Sequence, residues 1–124
     1  MAKHLLDSGI LLLALRGQAR VLDLLDELRA QGDVCISVVT RAEILAGVKP
    51  HEEQRTMALL DSLINLPVTA SIADYAGRLI RRYAKGSVSF VEALIAATAL
   101  QHDLTLITTN AQHFPMLKGQ VMSL

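Results

Sequence analysis

Short apolar runs alternate with longer amphipathic stretches along this chain. The short runs are continuously apolar, which is typical of strands covered on both faces of a sheet. The longer stretches repeat apolar residues at spacings of three and four, which is typical of helices that bury one face. The predicted strands cover residues 3–7, 34–39 and 104–108, with shorter ones at 66–68 and 120–124. The predicted helices cover residues 10–15, 18–31, 40–46, 51–64, 71–85 and 89–102.

This alternation predicts an α/β fold with a mainly parallel sheet between two layers of helices. Right-handed crossovers bring the carboxyl ends of such strands to one edge of the sheet, where binding sites form. Pro67 restricts the strand at 66–68 to a short or edge position, because proline donates no hydrogen bond to the ladder. The chain of 124 residues shows no linker or repeat, so we expect a single domain over residues 1–124.

Four polar residues lie where the carboxyl ends of the strands are expected. Asp7 ends the first strand, Glu43 follows the second, and Asn110 follows the strand at 104–108. Glu92 opens the most apolar helix. Carboxylates gathered at one sheet edge repel one another unless a cation joins them. The pattern therefore predicts a divalent-metal site.

The two glutamates also have a structural interpretation as helix caps. Thr40 and Glu43 have the spacing of a capping box, in which the first side chain and the last satisfy each other's backbone N–H groups. Ser89 and Glu92 repeat that spacing, and Ser71 begins a looser match. The two interpretations are compatible, because the start of a helix points its carboxylate into the crevice beyond the sheet.

Asp7 and Asn110 are open to different interpretations. An acid that ends a buried strand is costly unless it is paired or bound to metal, which argues for function at Asp7. Asn110 is also a common type of turn residue. Cys35, the single cysteine, excludes a disulfide within the chain and is predicted to be a small buried side chain.

The composition of the chain argues against several classes of function. Hydrophobic residues make up 52% of the chain, so it is not a disordered segment. Two Tyr, two Phe and no Trp leave few platforms for stacking bases. Twelve basic and twelve acidic side chains exclude a general polyanion binder but allow a local basic patch. No run is long enough to span a bilayer and no signal peptide is visible, so we expect a cytoplasmic protein without a membrane partner.

With these residues in place, the chain resembles the PIN-domain ribonucleases, most closely the VapC-type toxins of prokaryotic toxin–antitoxin pairs. Residues 5–11 look like the family's opening strand with its first acid, and residues 36–48 are similar to the second motif. Residues 92–99 look like the helix of the third acid, and residues 104–110, followed by Phe114, resemble the last motif. Each motif alone is weak, but the four occur in the family's order across nearly the whole chain.

The likeness has two departures. The third acid is usually Asp in the family, and here it is Glu92, which is one methylene longer. Family members with Asn at the position of Asn110 often carry an acid just before the following Phe, whereas this chain has His113 there.

The resemblance implies a three-layer α/β/α sandwich with four to five strands, and endonucleolytic hydrolysis of RNA with Mg²⁺ or Mn²⁺. Asp7 and Glu92 would bind the metal directly, and Glu43 through a water or as a ligand of a second metal. Asn110 would bind the metal or orient a water. The metal would neutralise the scissile phosphate and acidify the attacking water.

Further side chains are candidates for positioning the substrate or a water. Ser8 and Thr109 carry hydroxyls beside the acids, which otherwise serve as turn or cap groups. His113 is either a donor to a phosphate or leaving group, or an exposed loop histidine. Arg16 and Arg41 flank the acids in sequence and are candidate contacts for RNA phosphates. A second basic group, or simply a solvated helix face, consists of Arg78, Arg81, Arg82 and Lys85.

The resemblance also implies partners. An antitoxin would lay a peptide across an apolar groove, for which the helices at 18–31 and 51–64 are candidate walls, and the chain would form a homodimer. Two other interpretations stay open at this point. One is a catalytically weakened PIN domain that binds RNA or protein. The other is an unrelated α/β domain whose glutamates only cap helices.

Overall fold

A computed structural model describes residues 1–83 and 87–124 of the chain. Five strands form one sheet in which every neighbouring pair is parallel. The strands are β1 (His4–Leu6), β2 (Val34–Ser37), β3 (Ile64–Leu66), β4 (Thr105–Thr108) and β5 (Val121–Ser123). The helices are α1 (Ser8–Leu15), α2 (Ala19–Gln31), α3 (Val38–Ala46), α4 (Glu53–Asp61), α5 (Ala70–Arg82) and α6 (Phe90–His102). Short 3-10 turns lie at Pro50–Glu52 and Ala111–His113.

The sheet separates two apolar cores, because successive side chains of a strand point to opposite faces. In β1, Leu5 packs with side chains of α5 and α6, whereas Leu6 packs with side chains of α1, α2 and α4. Both leucines are fully buried. The predicted three-layer α/β/α arrangement is therefore confirmed, with five strands that are all parallel. Cys35 is buried in β2, as predicted. Within the two described ranges, no helix combines the length and the apolar character that crossing a bilayer requires.

The strand order is β3-β2-β1-β4-β5. The chain moves outward from β1 through β2 to β3, and the later strands β4 and β5 lie on the other side of β1. The order thus reverses between β1 and β4, and in parallel sheets the crevice at such a reversal is where ligands bind. Asp7 lies at this point, where its backbone N–H donates to the Ile107 carbonyl across 3.0 Å.

Helix α3 begins earlier than the sequence predicts. Ser37 is its N-cap, and the Ser37 hydroxyl accepts from the Val39 N–H at 3.1 Å. The β-branched residues Val38 and Val39 are therefore helical rather than part of the strand. The capping box predicted for Thr40 and Glu43 is wrong, since Thr40 lies inside the helix. Its buried hydroxyl has no hydrogen-bond partner among the described residues.

Two further boundaries differ from the prediction. Helix α5 is capped by Thr69, whose hydroxyl accepts from the Ile72 N–H at 3.2 Å, so the looser box at Ser71 is also wrong. Strand β3 ends at Leu66 and lies at the edge of the sheet, because Pro67 cannot extend the ladder. The predicted end of the helix at 71–85, with the basic Lys85, lies outside the described residues.

Candidate active site

Asp7 directly follows β1 and caps α1, and both of its carboxylate oxygens accept hydrogen bonds. Oδ1 accepts from the backbone N–H of Ser8 at 2.8 Å. Oδ2 accepts from the hydroxyl of Thr108 at 2.8 Å. An acid at the end of a buried strand requires such partners, and these two fix the direction of its carboxylate.

Thr108 is a residue of the site that the sequence reasoning missed. It is fully buried at the end of β4, and its hydroxyl also accepts from the Asn110 N–H at 3.1 Å. A threonine in an apolar strand is normally a packing residue, so its type alone gives no functional signal. The strand register could have identified Thr108, because the pairing of Leu6 with Ile107 places Thr108 next to Asp7.

Glu92 forms the capping box that the sequence predicts. The Ser89 N–H donates to Glu92 Oε1 at 2.9 Å, and the Glu92 N–H donates to the Ser89 hydroxyl at 3.1 Å. The second oxygen, Oε2, lies 2.7 Å from Nδ1 of His113. His113 is therefore directed at the third acid in this conformation, and both oxygens of Glu92 have partners.

Glu43 is the least satisfied of the acids. It lies on α3 and is an exposed residue. Burial raises the pKa of the Glu43 carboxyl above its ordinary value, and the negative charge of Asp7 raises this pKa further. The two carboxylates are thus close enough to repel each other, and a cation between them would remove the repulsion.

The four residues named from the sequence line one cavity of about 350 Å³ at the carboxyl edge of the sheet. They reach it from different elements, with Asp7 after β1, Glu43 on α3, Glu92 on α6 and Asn110 after β4. The remaining lining residues are Ser8, Ser89, Val91, Ile95, His113 and Phe114.

Thr109 is not among the residues that line this cavity, but it contacts Asn110, which is. Its Oγ1 accepts from Nδ2 of Asn110 at 3.3 Å. A side-chain carbon at Gly9 would lie only 2.7 Å from the same Oγ1. The glycine therefore allows α1 to approach the loop that carries Asn110.

The two candidate arginines lie in different surroundings. Arg16 lines a neighbouring cavity beside α1. Arg41 does not line either cavity, and its guanidinium is bound to Asp61 at 2.9 Å and to Asn65 at 3.0 Å. In this conformation Arg41 therefore connects α3 with α4 and β3, and its contact with RNA phosphates stays a prediction.

The donor set at the cavity consists of carboxylate and amide oxygens, which suits a hard divalent cation. No group of three or more His, Cys, Asp or Glu side chains in residues 1–83 and 87–124 is arranged to hold a metal in this conformation. In this conformation the two oxygens of Glu92 contact the Ser89 N–H and His113 Nδ1.

Comparison with known proteins agrees with this geometry. The family model described as PIN domain matches residues 4–118. The chain is 40% identical over 116 residues to ribonuclease VapC10 of Mycobacterium tuberculosis, covering 92% of this chain and 87% of the relative. It is also 40% identical over 115 residues to ribonuclease VapC19 of the same species, covering 90% and 92%.

Among solved structures, a toxin–antitoxin complex from Klebsiella pneumoniae superposes with a TM-score of 0.82 and 30% identity. The match covers 98% of this chain and 97% of that one. The family match and the curated relatives span most of the chain, and the fold has the expected layers. The chain therefore belongs to the PIN-domain family.

Proposed function

We propose that this chain is a metal-dependent endoribonuclease and the toxin of a type II toxin–antitoxin pair, with residues 1–124 as a single PIN domain. The observation that carries the proposal is the convergence of Asp7, Glu43 and Glu92 on one cavity at the strand-order reversal. Two relatives that are named ribonucleases, and a similar chain solved in a toxin–antitoxin complex, support it.

The oxygen-only donor set favours Mg²⁺ or Mn²⁺ as the cation. When bound, such an ion neutralises phosphate charge and lowers the pKa of a bound water. Asp7 and Glu92 would hold it directly, and Glu43 through a water or at a second ion. Asn110 would offer its side-chain oxygen to the ion or to that water.

Hydrogen bonds within the chain determine how far each acid is already oriented for metal binding. The Ser8 N–H and the Thr108 hydroxyl already fix the orientation of the Asp7 carboxylate. Metal binding would therefore require little further ordering of this side chain. Glu43 lines the same cavity and would hold the attacking water there; without a cation, burial and the Asp7 charge raise the pKa of its carboxyl. His113 contacts Glu92 in this conformation and would help to orient that carboxylate, and its role as a donor to a phosphate stays a prediction.

The alternative of a catalytically weakened, binding-only PIN domain is not favoured. It rests on the replacement of Asp by Glu92 and on the amide at Asn110. Both residues nevertheless reach the acidic cavity, and the curated relatives that match over most of their length are ribonucleases.

The direct test is cleavage of a defined mixture of single-stranded and hairpin RNAs by the purified protein. We expect cleavage with Mg²⁺ or Mn²⁺, none with excess chelator, and recovery when the metal is restored. Metal-independent cleavage, or none with either ion at any RNA, would contradict the proposal.

We also propose a cognate antitoxin, a homodimer and action in the cytoplasm. Co-expression with the product of an adjacent short reading frame should give a complex on size exclusion and should suppress cleavage. A protein that stays monomeric across the micromolar range would contradict the homodimer.

A further inference from the structure

A second and larger cavity opens beside the acidic one. Its volume is about 510 Å³, and Ser8 and Glu43 line both cavities. It runs between α1, α3 and the start of α4. It is therefore continuous with the acidic cavity at Ser8 and Glu43. A polymer whose reacting bond lies at the acids would therefore continue into this second cavity, which we call the flanking groove.

Three cations line the flanking groove: Arg16, Lys49 and Arg55. All three are exposed, and none forms a salt bridge with a described residue. The acids in the groove are Glu43, at its junction with the active site, and Glu52. The carboxylate of Glu52 accepts from the backbone N–H of Lys49 at 3.3 Å, so it is partly satisfied without a cation. Three cations against two carboxylates give the groove an excess of one positive charge.

Aliphatic side chains supply a further part of the lining. Leu12 is 42% exposed, whereas Leu11 beside it on α1 is fully buried. The aliphatic lining residues are Leu12, Leu15, Ile44 and Val48. Cations and an apolar surface in one groove suit a strand of phosphates and bases, because the phosphates pair with the charges and a base covers the aliphatic side chains.

We propose that the flanking groove binds the single-stranded RNA next to the scissile phosphate. Arg16, Lys49 and Arg55 contact phosphates, and a base lies on the surface around Leu12. This inference rests on the proposed function and deepens it by locating the substrate's path. The cations favour RNA as the occupant, because a nucleic-acid strand carries a negative charge at every nucleotide, whereas a protein helix does so only where it has acidic side chains.

The test measures RNA binding without cleavage. Short fluorescent single-stranded RNA is titrated into the Asp7→Asn protein in chelator, and anisotropy is read at several salt concentrations. Arg16→Gln, Lys49→Gln and Arg55→Gln should each weaken binding several-fold. Each should also reduce the slope of log K against log salt by about 0.7, as expected for loss of one phosphate contact to a single strand.

Two variants serve as controls. Lys118→Gln removes an exposed cation just before β5, at the amino edge of the sheet and opposite the site, and should leave RNA binding unchanged. Arg16→Lys keeps the charge and should retain most of the affinity. All of these substitutions are on the surface, so matched melting temperatures should confirm that the variants fold.

The outcomes separate this inference from the proposed function. If the wild-type protein cleaves no RNA but the three glutamine variants still lose RNA affinity and salt slope, the groove stands and the enzymatic proposal fails. If the wild type cleaves RNA and the three variants keep wild-type binding and KM, the groove proposal is overturned. It is equally overturned if these variants keep RNA binding and lose only the antitoxin, because the groove is then a protein-docking surface.

Discussion

Thr108 donates its hydroxyl to Asp7 across 2.8 Å, although the two residues are 101 positions apart in the chain. The same hydroxyl accepts the backbone N–H of Asn110. One buried side chain therefore joins the acid that ends β1 to the loop that follows β4. Since both strands are central in the sheet, the geometry of the first acid depends on strand register and not on a mobile loop.

Thr108→Val should weaken both stability and catalysis. The substitution keeps the shape but leaves a carboxylate oxygen and the Asn110 N–H without their partner. We expect a loss of about 1–3 kcal/mol in the free energy of unfolding, and about a 10- to 100-fold loss of cleavage per folded molecule, as for other groups that orient metal ligands. Denaturant unfolding and single-turnover cleavage measure the two effects.

The chain offers a matched control in Thr98, which is also fully buried but donates to the Leu94 carbonyl within α6. Thr98→Val should affect stability only, and Thr108→Ser should restore most of the cleavage because it restores the hydroxyl. Equal activity of Thr108→Val and wild type would show that the hydroxyl does not orient Asp7.

Gly9→Ala should perturb the site more than the fold. The new methyl group would lie 2.7 Å from Oγ1 of Thr109, so the threonine must rotate and the hydrogen bond from Asn110 is lost. We expect a several-fold lower rate of cleavage with little change in melting temperature. Gly77→Ala is the control, because nothing lies within 4 Å of the added methyl group. This variant should keep full activity and gain about 0.5–1 kcal/mol of stability.

Glu92→Gln separates the capping role of this residue from its proposed metal role. Glutamine still accepts from the Ser89 N–H, so the capping box persists and stability should change by less than about 1 kcal/mol. The variant loses the negative charge, and cleavage should fall at least about 10-fold. Ser89→Ala calibrates the cap itself, with an expected cost of about 1 kcal/mol. Full activity of Glu92→Gln would leave Glu92 as a cap alone.

Glu43→Gln should stabilise the metal-free protein at neutral pH. The folded state raises the pKa of Glu43, so the ionised carboxylate opposes folding. That penalty is absent below the ordinary value of 4.5 and appears as the pH rises from there through the raised pKa. In chelator, the variant should melt slightly above wild type at pH 7 and level with it near pH 4. A lower melting temperature at pH 7 would contradict the repulsion between Glu43 and Asp7.

Much of this site follows from sequence pattern alone. The apolar runs around residues 34 and 104 predict buried parallel strands, and parallel strands bring Asp7 and Asn110 to the same edge. The spacing of Ser89 and Glu92 predicts the capping box that the structure contains. These are local patterns, or they follow directly from the topology of the fold.

The missed features depend on contacts between distant parts of the chain. Ser37 and Thr40 are both plausible caps by type, and tertiary packing selects Ser37, which moves Glu43 out of the first turn of α3. The role of Thr108 depends on the exact pairing of β1 with β4. The contacts of Arg41 with Asp61 and Asn65 likewise require the packing of α3 on α4 and β3.

Cleavage of RNA by Asp7→Asn, beside wild type, in Mn²⁺ tests the central claim most directly. Asparagine is nearly isosteric with Asp7 and accepts one of its two hydrogen bonds, so the variant should fold with a similar melting temperature. The account predicts that its metal-dependent cleavage falls below detection at protein concentrations where wild type consumes all the RNA. Cleavage by folded Asp7→Asn at the wild-type rate, still abolished by chelator, would contradict an active site built around Asp7.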